Sequence, residues 1–254
     1  MRAASDRPGG PGLCIGTSGW TYDSWKSLLY RDVPRARWLE HYATLFNAVE
    51  VNATFYHALK PQTFGHWREQ TPARFRFAIK ANRYLTHIHR LHFPAAALER
   101  ERQAAADLGD KLAVVVWQLP SAMHLDLTRL QDFLERLSHW PDVRHAVEFR
   151  HASWFLPETA QLLSTHRVAA CQSDAADWPM WDGVATTDLV YVRLHGHTST
   201  YCSPYSDHAL RAWADRARHW LTEGRAVHIY FDNTDLGHAP NNAATLARLL
   251  APHA

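Results

Sequence analysis

The chain has 254 residues, 46% of them hydrophobic, with a formal net charge of +2 and 18 histidines. It is long enough for one barrel-sized core, and its near-balanced charge does not by itself argue for nucleic acid, although histidine protonation near pH 6 would make the surface more basic. Cys14, Cys171 and Cys202 are scattered, without the paired spacing of a zinc site or disulfide framework; with no bilayer-length apolar run, the expectation is a soluble cytoplasmic protein with no membrane partner.

Residues 1–12, rich in Gly, Pro and Arg, read as a disordered tail with no signal-peptide core. A single domain is expected over 13–254. Its first apolar run is Leu13 to Thr17, after which Trp38, Leu39, Tyr42, Leu45 and Phe46 recur at helical spacing. Runs follow at Ala48 to Asn52, Phe75 to Lys80 and Leu112 to Leu119, the last succeeded by a helical stripe of Leu127, Leu130, Phe133, Leu134 and Leu137. The fifth and sixth are His145 to Arg150 and Val168 to Gln172. Trp178-Pro179-Met180-Trp181 then breaks any helix, so the sixth helix is expected to be irregular or missing. After the seventh run, Leu189 to His195, Ser206 can cap a helix presenting Leu210, Trp213, Ala214, Ala217 and Leu221. Ala226 to Asp232 is the eighth. Strand and helix alternating about eight times predicts an α/β fold, a single TIM-type (β/α)8 barrel. A doubly wound sheet fits less well, because Gly16 to Gly19 lacks the third glycine of a phosphate-binding turn.

Ile15-Gly16-Thr17-Ser18-Gly19-Trp20, Val49-Glu50-Val51-Asn52 with Thr54-Phe55-Tyr56, Gln118-Leu119-Pro120, Glu148-Phe149-Arg150 with Ser153-Trp154-Phe155, Arg193-Leu194-His195-Gly196, and Tyr230-Phe231 with Asn233 stand in an order that runs through nearly the whole chain. In these motifs the sequence resembles the domain of unknown function 72 (YecE-like) family. The resemblance implies a TIM-type barrel and supplies no reaction. One departure is Asp232-Asn233, where the family tends to have paired asparagines; it adds a carboxylate.

Residues two apart on a strand share a face, so Glu50 with Asn52, Glu148 with Arg150, and Arg193 with His195 aim polar pairs at strand ends. Catalytic sites of such barrels lie at those ends. Glu148 and His195 are the candidate proton handlers, Glu148 through a carboxyl raised by burial. Lys80, Arg150 and Arg193 are candidate anion holders, with Lys80 able instead to form a Schiff base if burial and neighbouring cations depress it. Glu50 joins the catalytic set, and Asn52, Gln118, Asp232 and Asn233 orient. Trp20, Tyr22, Trp25, Tyr56, Trp154 and Phe155 fall just past strand ends, where rings can stack on a ligand, and Trp20 and Tyr56 are assigned to substrate binding. Helix starts near Gly196 and Gly237 suggest an anion site. A plainer account is an ion-paired inner layer with no chemistry.

The leading expectation is an enzyme, a metal-independent hydrolase or lyase, acting on a small anionic (phosphorylated or carboxylated) ligand without a cofactor. Glu50, Glu148, His195 and Asp232 resemble a metal-ligand set, but the cations around them oppose a divalent ion. A glycosidase reading of Glu50 with Glu148 ranks lower. Two alternatives stay open: a nucleic-acid-binding or processing barrel with a rim of Arg83, His87, His89, Arg90 and His92, and a non-catalytic small-ligand module.

Overall fold

All eight apolar runs become parallel strands in the computed structural model, which describes residues 12–251. They are β1 (Leu13–Thr17), β2 (Ala48–Val51), β3 (Arg76–Lys80), β4 (Leu112–Gln118), β5 (Arg144–Glu148), β6 (Ala169–Ala175), β7 (Leu189–Gly196) and β8 (Ala226–Phe231). The expected tail lies almost wholly outside the described residues. Neighbour order is β1-β8-β7-β6-β5-β4-β3-β2, a nearly closed barrel.

The seam between β1 and β2 carries only one bridge, Ser18 to Glu50. Side chains stitch the remainder. The Tyr42 hydroxyl accepts from the Thr17 N–H at 2.9 Å and donates to the Ala48 carbonyl at 3.2 Å. Asn47 accepts from the Ile15 N–H and donates to the Leu13 carbonyl. Gly16 permits this approach, since a Cβ there would stand 1.9 Å from the Ala48 oxygen.

The helices are α1 (Trp38–Leu45), α2 (Ala53–Tyr56), α3 (Pro61–Glu69), α4 (Ala95–Ala105), α5 (Leu127–Leu137), α6 (Pro157–Thr165), α7 (Asp207–Thr222) and α8 (His238–Leu250). No helix joins β6 to β7, as Trp178-Pro179 led one to expect. In α5, Asp126 caps the start by accepting from the Arg129 N–H, and Leu130, Phe133, Leu134 and Leu137 are buried one helical face together; each such side chain contributes about 1.5–3 kcal/mol on burial. Ser206 caps α7 through the Ala209 N–H, and Leu210, Trp213, Ala214 and Ala217 face inward. The stripe predicted for α1 is only partly right. Leu45 is 49% exposed, because the helix ends there and extended Phe46 turns inward instead.

Strand alternation sorts the side chains into two cores. Val49, Phe77, Ile79, Val115, Trp117, Val147, Val192 and Ile229 pack outward with the helices. The barrel axis holds small and branched residues, Ala48, Ala78, Val114, Val116, Ala146 and Ala169, completed by Leu189, Tyr191 and Tyr230. At the carboxyl end the same inward parity delivers Glu50, Lys80, Gln118, Glu148, Ser173 and Arg193.

Candidate functional site

Arg193 is the centre of the mouth, fully buried at 0% exposure on β7. Its Nε donates to both oxygens of Glu50, at 3.1 and 2.9 Å. One terminal nitrogen reaches Glu148 at 2.6 Å and His195 Nε2 at 3.3 Å. The other reaches Glu50 at 2.6 Å and Asp232 at 2.9 Å. All five donors of the guanidinium are therefore engaged. Arg193 cannot be the anion holder that its strand position suggested; it is the internal counter-ion of three carboxylates.

Glu50 is saturated in turn. Besides Arg193 it accepts from the Ser18 hydroxyl and from the Tyr191 hydroxyl, each at 2.6 Å. It positions Arg193 and has no open face for proton transfer, contrary to its place among the catalytic candidates. Glu148, also 0% exposed, accepts from Arg150 Nε at 2.7 Å and from Ser173 at 3.1 Å. Burial works to raise its carboxyl, yet Arg150, Arg193 and His195 together outweigh burial and hold it well below the usual carboxylate range. The expected raised glutamate is thus corrected to one whose carboxyl is held below the usual range. Burial alone argues for a raised carboxyl, but Arg150 lies two residues further along the chain and the closed barrel adds Arg193 from β7. Asp232 is depressed likewise: burial opposes, but Arg193, His195 and Lys80 prevail.

His195 sits between these acids, its Nε2 at 3.5 Å from Glu148 and its Nδ1 at 3.0 Å from Asp232. Nδ1 is close to Asp232 but off the hydrogen-bond direction, so it is left without a formal partner. When Nε2 accepts from Arg193, the neutral ring carries its proton on Nδ1. Buried Asn52 Oδ1, Arg150 Nη2 and Asn233 Oδ1 are also without partners. Such orphans are uncommon in folded interiors and call for an explanation.

Arg150 reaches past the end of β5. Beyond Glu148 it donates to the Tyr201 hydroxyl at 3.2 Å, and the ring of Trp178 lies 3.7 Å over its guanidinium. Trp178 is held by its Nε1–H on Ser173 at 2.9 Å and meets the edge of His195 at 5.0 Å. Tyr201 takes a left-handed backbone, φ 66°, while its N–H donates to the His195 carbonyl at 2.6 Å. Positive φ in a tyrosine is strained and tends to occur where function requires it. Lys80 is 8% exposed, with its ammonium 4.0 Å from the Phe55 ring centroid. Among the described residues it has no hydrogen bond or ion pair. Burial first, then Arg193 and Arg150, bring its amine down to about 8, against the pull of Glu148 and Asp232.

Other candidates fall elsewhere. Gln118 is buried, donating to the Leu119 carbonyl and standing 3.4 Å from His87. Asn233 ties its loop to the loop before α7 and to α8, donating to the Ser203 carbonyl and to Asn242 Oδ1. Trp20 packs edge-on against Trp67 in the outer core, and Trp25 and Trp154 are fully buried there too. Tyr56 is 60% exposed and turned against Phe55 and His57. Phe155 stacks on Trp181. Tyr22 donates to the Ser18 carbonyl at 2.6 Å beside the mouth. The anion site expected at the last two strands does not form from its glycines: the Gly196 N–H donates to Tyr205, the Gly237 N–H to Thr234, and Gly237 faces Trp25 and Leu28. His87 turns inward against Phe55 and is pushed down to about 4, first by burial and then by Lys80 and Arg150.

Ser18, Ser173, Tyr191, Trp178 and Tyr201 complete the site and were not among the candidates. Tyr191 had a signal, being two residues before Arg193 on one face; Trp178 registered only as a helix breaker. A cavity of about 220 Å³ lies between α2, α3 and α4, lined by Thr54, Phe64, Tyr84 and Glu101 among others. It touches the site only through Thr54, whose hydroxyl donates to the Lys80 carbonyl at 2.7 Å. Among the described residues no group of three or more His, Cys, Asp or Glu could hold a metal ion, and no helix is long and apolar enough to cross a membrane.

A family model described as protein of unknown function DUF72 matches residues 14–254. The UPF0759 protein YunF of Bacillus subtilis is 25% identical over 269 aligned residues, covering 94% of each chain. The UPF0759 protein YecE of Escherichia coli K12 is 30% identical over 144 residues, 56% of this chain and 50% of that one. A crystal structure of a DUF72 family protein from Thermotoga maritima superposes with a TM-score of 0.83 at 24% identity, covering 94% of this chain and 98% of its own.

Proposed function

The chain belongs to the DUF72 family, and from the chemistry of its barrel mouth we propose an enzyme that binds a small anionic, carboxylated or phosphorylated, substrate and transforms it by acid and base chemistry. One observation carries this reading: Arg193 has used all five donors, while the half-buried Arg150 keeps a buried Nη2 unpaired at the same mouth. A guanidinium N–H in a desolvated site takes carboxylate or phosphate oxygen better than any neutral acceptor. Trp178 fixes the plane of Arg150 from above. His195 is the proton carrier, with Asp232 beside Nδ1 and Glu148 beside Nε2. Glu148 stays ionised and orients Arg150 and Arg193.

The test is calorimetric titration of inorganic phosphate and of short carboxylates into wild type and Arg150→Gln, backed by thermal unfolding. Saturable binding is expected in wild type, with about 2.7 kcal/mol of stabilisation at a hundredfold excess over Kd, and is expected to vanish in the variant. Binding that is equal in both proteins, or absent in wild type, defeats the proposal. The nucleic-acid alternative draws less support, because His87 faces inward and stays neutral at physiological pH.

A further inference from the structure

Only four of the chain's 27 basic residues are lysines: Lys26, Lys60, Lys80 and Lys111. Lys26 and Lys60 are exposed. Lys111 donates to the carbonyls of Arg68 and Thr71 at 2.6 Å, an ordinary anchoring role. Lys80 does neither. It ends β3 on the inward face, 8% exposed, with no hydrogen-bond or ion-pair partner among the described residues and the Phe55 ring below its nitrogen. A buried ammonium in that condition contributes nothing to stability that an apolar side chain would not exceed. Where this mouth needs a fixed positive charge it uses Arg150 and Arg193. Arginine stays protonated, whereas a lysine can lose its proton and present a nitrogen lone pair.

We propose that Lys80 is a nucleophile that captures the carbonyl carbon of the anionic substrate as a Schiff base, which makes the substrate a 2-oxo acid or a comparably charged aldehyde or ketone. This rests on the anion reading, since Arg150 holds the charged end. The neutral amine attacks the carbonyl carbon, forming C–N, and its proton moves to the carbonyl oxygen to give a carbinolamine. His195, protonated, then gives a proton to that hydroxyl, which leaves as water while the nitrogen lone pair closes the C=N bond. No oxidant or reductant takes part. The Phe55 face favours the ammonium, but burial and the two guanidiniums prevail and bring the amine to about 8, within reach of the neutral form.

The test incubates the full chain with pyruvate and sodium cyanoborohydride, which reduces an iminium to a stable secondary amine. Intact mass should rise by the mass of pyruvate less one oxygen, and a peptide map should place the adduct on Lys80, with Lys26, Lys60 and Lys111 as internal references in the same digest. Loss of the adduct in Lys80→Arg is expected; the map on wild type decides the matter even where that variant fails to fold. No adduct at Lys80 with pyruvate or glyoxylate overturns the proposal, and does so without touching the anion reading when phosphate and carboxylates still bind through Arg150. An adduct that forms equally with uncharged acetone and is not suppressed by phosphate overturns the substrate class assigned here.

Discussion

Replacing Arg193 with methionine removes the single counter-ion shared by Glu50, Glu148 and Asp232, all of them 8% exposed or less at the side chain. Removing one partner of a buried pair typically costs about 3–5 kcal/mol, because the remaining charge is left uncompensated. Here three carboxylates lose that partner, so about 3–5 kcal/mol is a lower bound at pH 7, and for a chain of this size it corresponds to a fall in Tm of roughly 6–20 °C. The pH dependence is the sharper signature. In wild type, Glu148 and Asp232 lie below their usual values, so their contribution is present above about pH 4, the unfolded range, and is lost as pH falls through the depressed folded values. With Arg193 gone, Glu148 and Asp232 lose one of the charges that hold them down and their folded values move up toward the unfolded range, so less of that stability remains above about pH 4. The gap between the two proteins should therefore be widest near neutrality and shrink toward acid. Urea unfolding followed by circular dichroism at pH 7 and pH 3 measures it. A gap under about 1 kcal/mol, or one that does not change with pH, would refute the hub role, since exposed ion pairs are worth that little.

Lys80→Met should stabilise the chain at pH 7, by roughly 1–3 kcal/mol, while abolishing pyruvate capture; the depressed amine implies that wild-type stability itself rises with pH from about 8 toward 10.5. A variant less stable than wild type at pH 7 contradicts this. Gly16→Ala should destabilise by at least about 1–3 kcal/mol, since its Cβ would overlap the Ala48 oxygen at the barrel seam; chemical denaturation reads it directly. Tyr42→Phe strips the Thr17 N–H of its acceptor, at a cost of about 1–3 kcal/mol, and amide exchange at Thr17 should accelerate ahead of that at Ile15, whose acceptor is Asn47.

Strand positions were readable because they depend on near neighbours. Val49-Glu50-Val51 and Val190-Tyr191-Val192-Arg193 carry apolar residues for the helix side and polar ones for the axis, and the pleat alone enforces that division. Endings were less readable. β6 runs three residues beyond the apolar run, through Ser173 to Ala175, because β7 pairs with it there, Ser173 opposite Arg193. Trp178 looked like punctuation, and its proline neighbour does exclude a helix, yet the freed loop lays its ring on Arg150.

From the chain by itself one could establish a barrel, a gap in place of its sixth helix, and a mouth that collects Glu50, Lys80, Glu148, Arg193 and His195. Local periodicity determines each of these. Which cation serves the fold and which remains for a ligand was settled by tertiary structure, since it turns on contacts between residues as far apart as Glu50 and Arg193, 143 positions along the chain. Strand stagger around the barrel engages every donor of Arg193 while leaving one nitrogen of Arg150 and the amine of Lys80 unpaired. A linear pattern specifies charges, but whether a charge is satisfied depends on angles and distances that exist only once the barrel has closed.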